Sequence, residues 1–359
     1  MLCLDSFLSL STINLANLNI QIWSLILNID HENYFLTKTT FLSIIEEMQE
    51  EDFNTINILL IFETFIRIRS SKSYLISQFL KELEEQKFRT KLFDIIQFNH
   101  EKLLYKMISF DDDYKIRPCN MYFLQKSLQT KLFSIDEILN NFIEYHKSHL
   151  TFYYIHLLQF SWFAPEIELF HKNLFESFSH SIQKLHEITK WEPNLEPLFS
   201  DFTKMKENDW KLLKSSRNPS ESAIFQIMEN DNVEFLQKKE IMNLTKIIPP
   251  NVYNPMVNVS SGNASFLEMS AYFGAIKCFK YLLLNDAKLI SGKTLTSVAF
   301  GRFHLKEHWN TMNFAVAGGN TEIIHLLERK NATFDNCLIV AIKFHQYFIF
   351  EWLFENRKD

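Results

Sequence analysis

The chain predicts an all-α protein in two parts, a helical region over residues 1–215 and a short stack of repeated helix pairs over residues 216–359. Three observations carry this. The 6 glycines all lie at or beyond Gly262, so the first 261 residues have none. No proline precedes Pro118. Apolar residues recur at helical spacing, and serine or asparagine stands where helices should begin. Tight hairpins and phosphate-cradling loops both need positions that glycine fills best. A long glycine-free stretch therefore excludes nucleotide-loop chemistry there and leaves helices as the natural solution.

The first segment, residues 6–29, carries no charge and is interrupted by Asn14, Asn17, Asn19 and Gln21. It lacks a basic leader and reads as an amphipathic or buried helix, not as a signal or membrane segment. Phe53, Ile56, Leu59, Leu60, Phe65 and Ile66 mark a second helix, with Glu63 expected on its polar side. Ser134-Ile135-Asp136-Glu137 is a capping box, and Ile138, Leu139, Phe142 and Ile143 form the apolar face behind it. Pro165 followed by Glu166 and Glu168 fits a first helical turn. Pro193 and Pro197 break the pattern, and Asn218-Pro219-Ser220-Glu221 opens the second part.

Composition bounds the function. The 359 residues are 47% apolar, enough for a large core, and the net charge is −6. That acidic balance belongs to the first part, since residues 220–359 carry 14 basic and 14 acidic side chains. No basic stripe is present, so a nucleic-acid surface is not expected. The 35 phenylalanines suggest core packing before base stacking, because stacking platforms work with basic grooves. Cys3, Cys119, Cys278 and Cys337 lie far apart, as free thiols of a reducing, cytoplasmic compartment would. No cofactor motif is found.

Three segments of the second part align without gaps. They begin at Ala271, Ala315 and Ala341, 44 and then 26 residues apart. In each, a small residue lets a first helix pack closely. Gly274 and Gly318 then end that helix, and a leucine pair, Leu282-Leu283 or Leu326-Leu327, faces inward from a second helix. A degenerate earlier copy places Ile227, Asn230 and Phe235 at corresponding positions and serves as a cap, about residues 219–243. The three copies span about 263–289, 309–334 and 335–355, with Phe344–Phe354 expected as the last helix pair.

These segments resemble ankyrin repeats, on the strength of AYFGAIKCFKYLLLNDAKL and AVAGGNTEIIHLLE. The whole second part is similar to the divergent ankyrin-repeat proteins expanded in certain unicellular parasites, and the fold implied is an ankyrin-like solenoid. The family's opening Thr-Pro-Leu-His is replaced by Ser265-Phe266-Leu267-Glu268, by Trp309-Asn310-Thr311-Met312 and by Asp335-Asn336-Cys337-Leu338. Phe344 stands where the third copy should have glycine. The stretch Leu289–His308 lengthens the first connection, and the second is too short for a regular hairpin finger.

The resemblance implies a non-enzymatic protein-binding module with a protein partner and no membrane. An adaptor, with the first part docked to a larger complex, is the alternative. The exposed residues it implies are Tyr272, Phe273, Val316, Ala317, Ile342 and Lys343 after each anchor alanine, with Asn285 and Arg329 after the leucine pairs. Tyr272 is either the main partner anchor or, with Phe273, a packing residue against the neighbouring copy or against the N-terminal part. One enzymatic pattern competes. His304-Leu305-Lys306-Glu307-His308 matches the H-x-x-E-H of inverted zinc peptidases. It lacks a third ligand and a catalytic domain, so a solvated connection is the expectation. His146, His149 and His156, and the run Asp111-Asp112-Asp113, read as ordinary helix-surface and loop residues.

Overall fold

The computed structural model describes residues 10–47, 58–69, 72–85, 103–105, 107–108, 118–148, 153–188, 202–216, 227–238, 264–290 and 309–356. Among them the chain is all-α, with no strand. It forms two compact units, Met1–Leu185 and His186–Asp359. No described helix is long and apolar enough to cross a membrane. The Asn218–Glu221 signal, Pro193, Pro197, Asp111–Asp113 and His304–His308 fall outside the described residues.

The first unit contains α1 (Leu10–Leu27), α2 (Tyr34–Glu47), α3 (Ile58–Ile68), α4 (Ser73–Glu85), α5 (Pro118–Thr130), α6 (Ile135–Ser148), α7 (Tyr153–Trp162) and α8 (Ala164–Phe170), with most of α9 (Lys172–Ile188). Glycine-free turns are made in two ways. Between α1 and α2, the Asp30 and Asn33 side chains each accept the other's backbone N–H at 2.8 Å. After α5, Lys131 takes a left-handed φ of 60°, and Leu132 N–H donates to the Ser127 carbonyl at 3.0 Å. Left-handed backbone costs a non-glycine residue about 1 kcal/mol, which the flanking packing offsets.

Phenylalanine supplies that packing. Phe41, Phe62 and Phe79 meet with ring centroids 5.2 to 6.1 Å apart and tie α2, α3 and α4 together. Phe142, Phe160, Phe163, Phe175 and Phe178 do the same around α6, α7 and α9. Tilted and edge-on pairs of this kind contribute about 1 kcal/mol each beyond their burial. The Ser134–Glu137 capping box is formed in both directions, and Pro165 lies in the first turn of α8. One expectation fails. Glu63 is buried, not on a solvated side, and it bonds Arg67 one turn along α3. Phe53 and Ile56 lie outside the described residues.

The second unit holds α10 (Phe202–Glu207), α11 (Lys211–Ser216), α12 (Val233–Lys238) and three helix pairs. The pairs are α13 (Phe266–Phe273) with α14 (Ile276–Leu284), α15 (Thr311–Gly318) with α16 (Thr321–Arg329), and α17 (Cys337–Lys343) with α18 (Tyr347–Asn356). First helices pack on first helices, α13 on α15 on α17. Second helices follow suit, α12 on α14 on α16. Phe344 is the residue that ends α17, so the last pair begins at Cys337 and not at Phe344.

The repeat register corrects the ungapped alignment by one residue in its first copy. The N-cap residues Ser265, Asn310 and Asn336 are 45 and 26 apart. The same offsets relate the left-handed residues Gly274, Gly319 and His345 and the fully buried Leu282, Leu327 and Leu353. Asp286 and Asn331 are left-handed at φ 60° and 58° after the second helices, and the N–H groups of Ala287 and Ala332 close those ends onto the Leu282 and Leu327 carbonyls. Letter identity at alanine had set the alignment, whereas backbone geometry is set by caps. Gly319, at φ 79°, is therefore the turn residue, and His345 at φ 53° takes the same role in the third copy. Gly318 is the last residue of α15. Its lack of a side chain serves packing, since a Cβ there would stand 2.4 Å from the Ala271 carbonyl oxygen and 2.7 Å from that of Tyr272. In the cap, Leu236 is buried and Phe235 exposed, again one residue from the expected register.

Candidate interaction surface

Each junction between pairs is tied by side chains at equivalent places. Glu268, third residue of α13, accepts the backbone N–H and the hydroxyl of Ser265. Its other oxygen accepts the hydroxyl of Thr311, first residue of α15, at 2.7 Å. Asn313 occupies the matching place one pair on. It completes the α15 capping box with Asn310 and donates to the Asp335 carbonyl at 2.7 Å and to the sulfur of Cys337 at 3.4 Å. A second set of bonds runs between the turns. Asn320 donates to the Gly274 carbonyl and Gln346 to the Ala317 carbonyl, both at 3.1 Å. On the cap side, the Asp231 carboxylate accepts the N–H groups of Lys277 and Cys278, first-turn donors of α14 that have no partner within the helix.

Burial sets the electrostatics. Glu268 is fully buried, and desolvation raises its carboxyl above the usual range despite the opposing bonds from Ser265 and Thr311. Burial pushes the Cys278 and Cys337 thiols up to about 12, so both are held as neutral thiols. Desolvation also lowers His345, whose Nδ1 lies 2.9 Å from the Tyr347 hydroxyl.

The first helices of the first two pairs, α13 and α15, are not open. Every residue from Phe266 to Tyr272 and from Thr311 to Ala317 is buried. Tyr272, Val316 and Ala317 are therefore interior, which overturns their expected exposure. Tyr272 contacts the rings of Phe273 and Phe344, and Trp309 continues the row between Phe344 and Phe314. Of the readings of Tyr272, packing is the one seen, with its ring partners in its own copy and in the third. Phe273 is half-buried. Asn285, Arg329, Ile342 and Lys343 are exposed, as expected.

The sequence reading missed Ile339, Phe348 and Phe354, exposed on the last pair, and Leu284, exposed at the end of α14. The signal was available in the corrected register. Phe348 and Phe354 stand where the preceding pair has Glu322 and Glu328, and Ile339 where it has Asn313. The described residues contain no group of three or more His, Cys, Asp or Glu side chains able to hold a metal ion, and His304, Glu307 and His308 lie outside them.

A family model described as a domain of unknown function (DUF3447) matches residues 303–358, which span α15 to α18. No curated protein and no solved structure matches the chain.

Proposed function

We propose that residues 264–356 act as a non-enzymatic protein-interaction module, a divergent ankyrin-type stack. Its contact residues are Asn285 and Arg329 at the ends of the second helices, with Ile342 and Lys343 on the last pair. The recurrence of one bonding scheme at successive junctions carries the reading. Glu268 to Thr311 and Asn313 to Cys337 are the same contact one pair apart, as expected of units that cannot bury their apolar faces alone and stack to do so. The DUF3447 match adds support, because that domain is commonly seen in ankyrin-repeat proteins. With α13 and α15 buried, the proposed contacts lie at the ends of the second helices and on α17.

The test uses the full chain, immobilised and exposed to lysate of its native cell, against Arg329→Glu and Ile342→Glu variants. Loss of a central contact residue typically costs more than about 1 kcal/mol. A protein captured by the native chain should fall by about five-fold or more with at least one variant, at an unchanged melting temperature. Equal capture by both variants, or no protein enriched over an unrelated control chain, would sink the proposal.

A further inference from the structure

Glu268 stands where the first helix pair meets the second and has no exposed surface. One carboxyl oxygen accepts the backbone N–H and the hydroxyl of Ser265, and the other accepts the hydroxyl of Thr311. Each hydroxyl already accepts a backbone N–H, Ser265 from Leu267 at 3.2 Å and Thr311 from Ile290 at 2.8 Å. Their own protons are therefore turned on the carboxyl. The Thr311 N–H returns a bond to the Ile290 carbonyl at 3.2 Å. Carboxyl, hydroxyl and backbone thus form one connected set that closes α13, and the chain leaving α14, onto α15. Among the described residues, no cation faces the group. Apart from the Tyr272 phenol, α13 has no other ionisable side chain, and α15 has none. Of the α14 side chains, Cys278 is buried and Lys277 and Lys280 are exposed, with Lys280 bonded to Glu322 of α16. A carboxyl held out of water by neutral partners favours its protonated form, and desolvation does raise this one. The matching place at the second junction holds Asn313, an amide with no carboxyl proton to lose.

We infer that Glu268 is a pH-sensitive latch on the first junction alone. Protonated, it holds α13 against α15. As the proton leaves, the two helices part and the bonds between Ile290 and Thr311 go with them, while the junction of α15 with α17 stays closed. The driving force is proton linkage: an ionised carboxyl is costlier to bury than a neutral one, and an open junction returns it to water. Opening uncovers the Ala271 and Tyr272 backbone against which Gly318 packs. The latch stands apart from the partner-binding reading, since none of its residues is among the proposed contacts.

Residue-resolved hydrogen exchange of the full chain, run from the ordinary carboxyl value upward in pH, decides it. The Ile290 and Thr311 amides report the first junction, and the Val340 amide of α17 reports the second. After correction for intrinsic rates, protection at Ile290 and Thr311 should fall by about ten-fold or more as pH rises. That is the change linkage gives for each pH unit over which the open form alone is ionised. Protection at Val340 should stay constant. In Glu268→Gln both junctions should be flat. The same holds for Glu268→Asn, which gives the first junction the residue the second already uses. A fall shared by Val340 would mean that the chain opens as a whole and overturns the latch. A flat native profile, or an unchanged fall in either folded variant, overturns it as well. The comparison of the two junctions within the native chain needs neither variant to fold.

Discussion

Glu268 is the residue on which the first junction turns. Ser265 and Thr311 both donate to it, so removing its carboxylate strands buried donors, each costing about 1–3 kcal/mol. Glu268→Ala should therefore destabilise the chain by about 2–4 kcal/mol in urea denaturation. The pH dependence has a definite sign. Burial raises this carboxyl in the folded state, so its contribution is fully present below the unfolded value. It is lost as pH rises through the folded value. Glu268→Gln removes that titration. The native chain should lose stability relative to Glu268→Gln over a window that opens at the ordinary carboxyl value and ends at the raised folded one, read from denaturation midpoints. A constant difference across that window would show that the carboxyl does not titrate there. The two buried thiols make a simpler case. With both raised to about 12, Cys278 and Cys337 should resist alkylation at about pH 8 until the fold is opened in denaturant. Peptide mapping by mass spectrometry would read this directly.

At the scale of helices and turns, adjacent glycines do different work. Gly319 turns the chain at φ 79°, and a Cβ on it would press on the flexible Gln346 side chain. Gly319→Ala should cost about 1–2 kcal/mol, chiefly backbone strain. A Cβ on Gly318 would meet the carbonyl backbone of α13 at 2.4 Å, and backbone cannot step aside as a side chain can. Gly318→Ala should cost more, about 3 kcal/mol, with α13 and α15 forced apart. Equal melting temperatures for the two variants would contradict this division of labour. Tyr272→Ala belongs here as well. The ring is buried against Phe273 and Phe344, so truncation should cost about 3 kcal/mol of stability, measured by thermal or urea unfolding.

Charge decides how the whole molecule should meet its surroundings. The acidic excess lies in the first 219 residues, and residues 220–359 balance at 14 of each sign. Capture of a partner through the exposed Arg329 and Lys343 should fall as salt is raised from about 0.05 to 0.5 M, because contacts between exposed charges are screened. Capture at the two salt concentrations measures it, and equal capture at both would point away from a charged contact.

Much of the helical architecture was legible because its determinants are local. The Ser134–Glu137 box, Pro165 in a first turn and the missing glycines each act over a few residues, and the structure shows the helices they imply. The stacking of like helices was readable from recurrence, but the register was not. Aligned alanines and glycines gave 44 residues, whereas caps and left-handed turns required 45. Single letters do not distinguish a glycine that turns the chain from one that admits a neighbour's backbone. The surface was the least legible. Val316 and Ala317 differ little in sequence from exposed helix residues, and Glu63 and Glu268 look solvated on the page. Their burial depends on packing by residues distant in the chain. Local chemistry in the sequence determined that this protein is helical and where many of its helices start and stop. Only the tertiary structure decided which side chains are interior and that the last pair keeps Ile339 and Ile342 uncovered, because burial is a property of neighbours brought together by the fold.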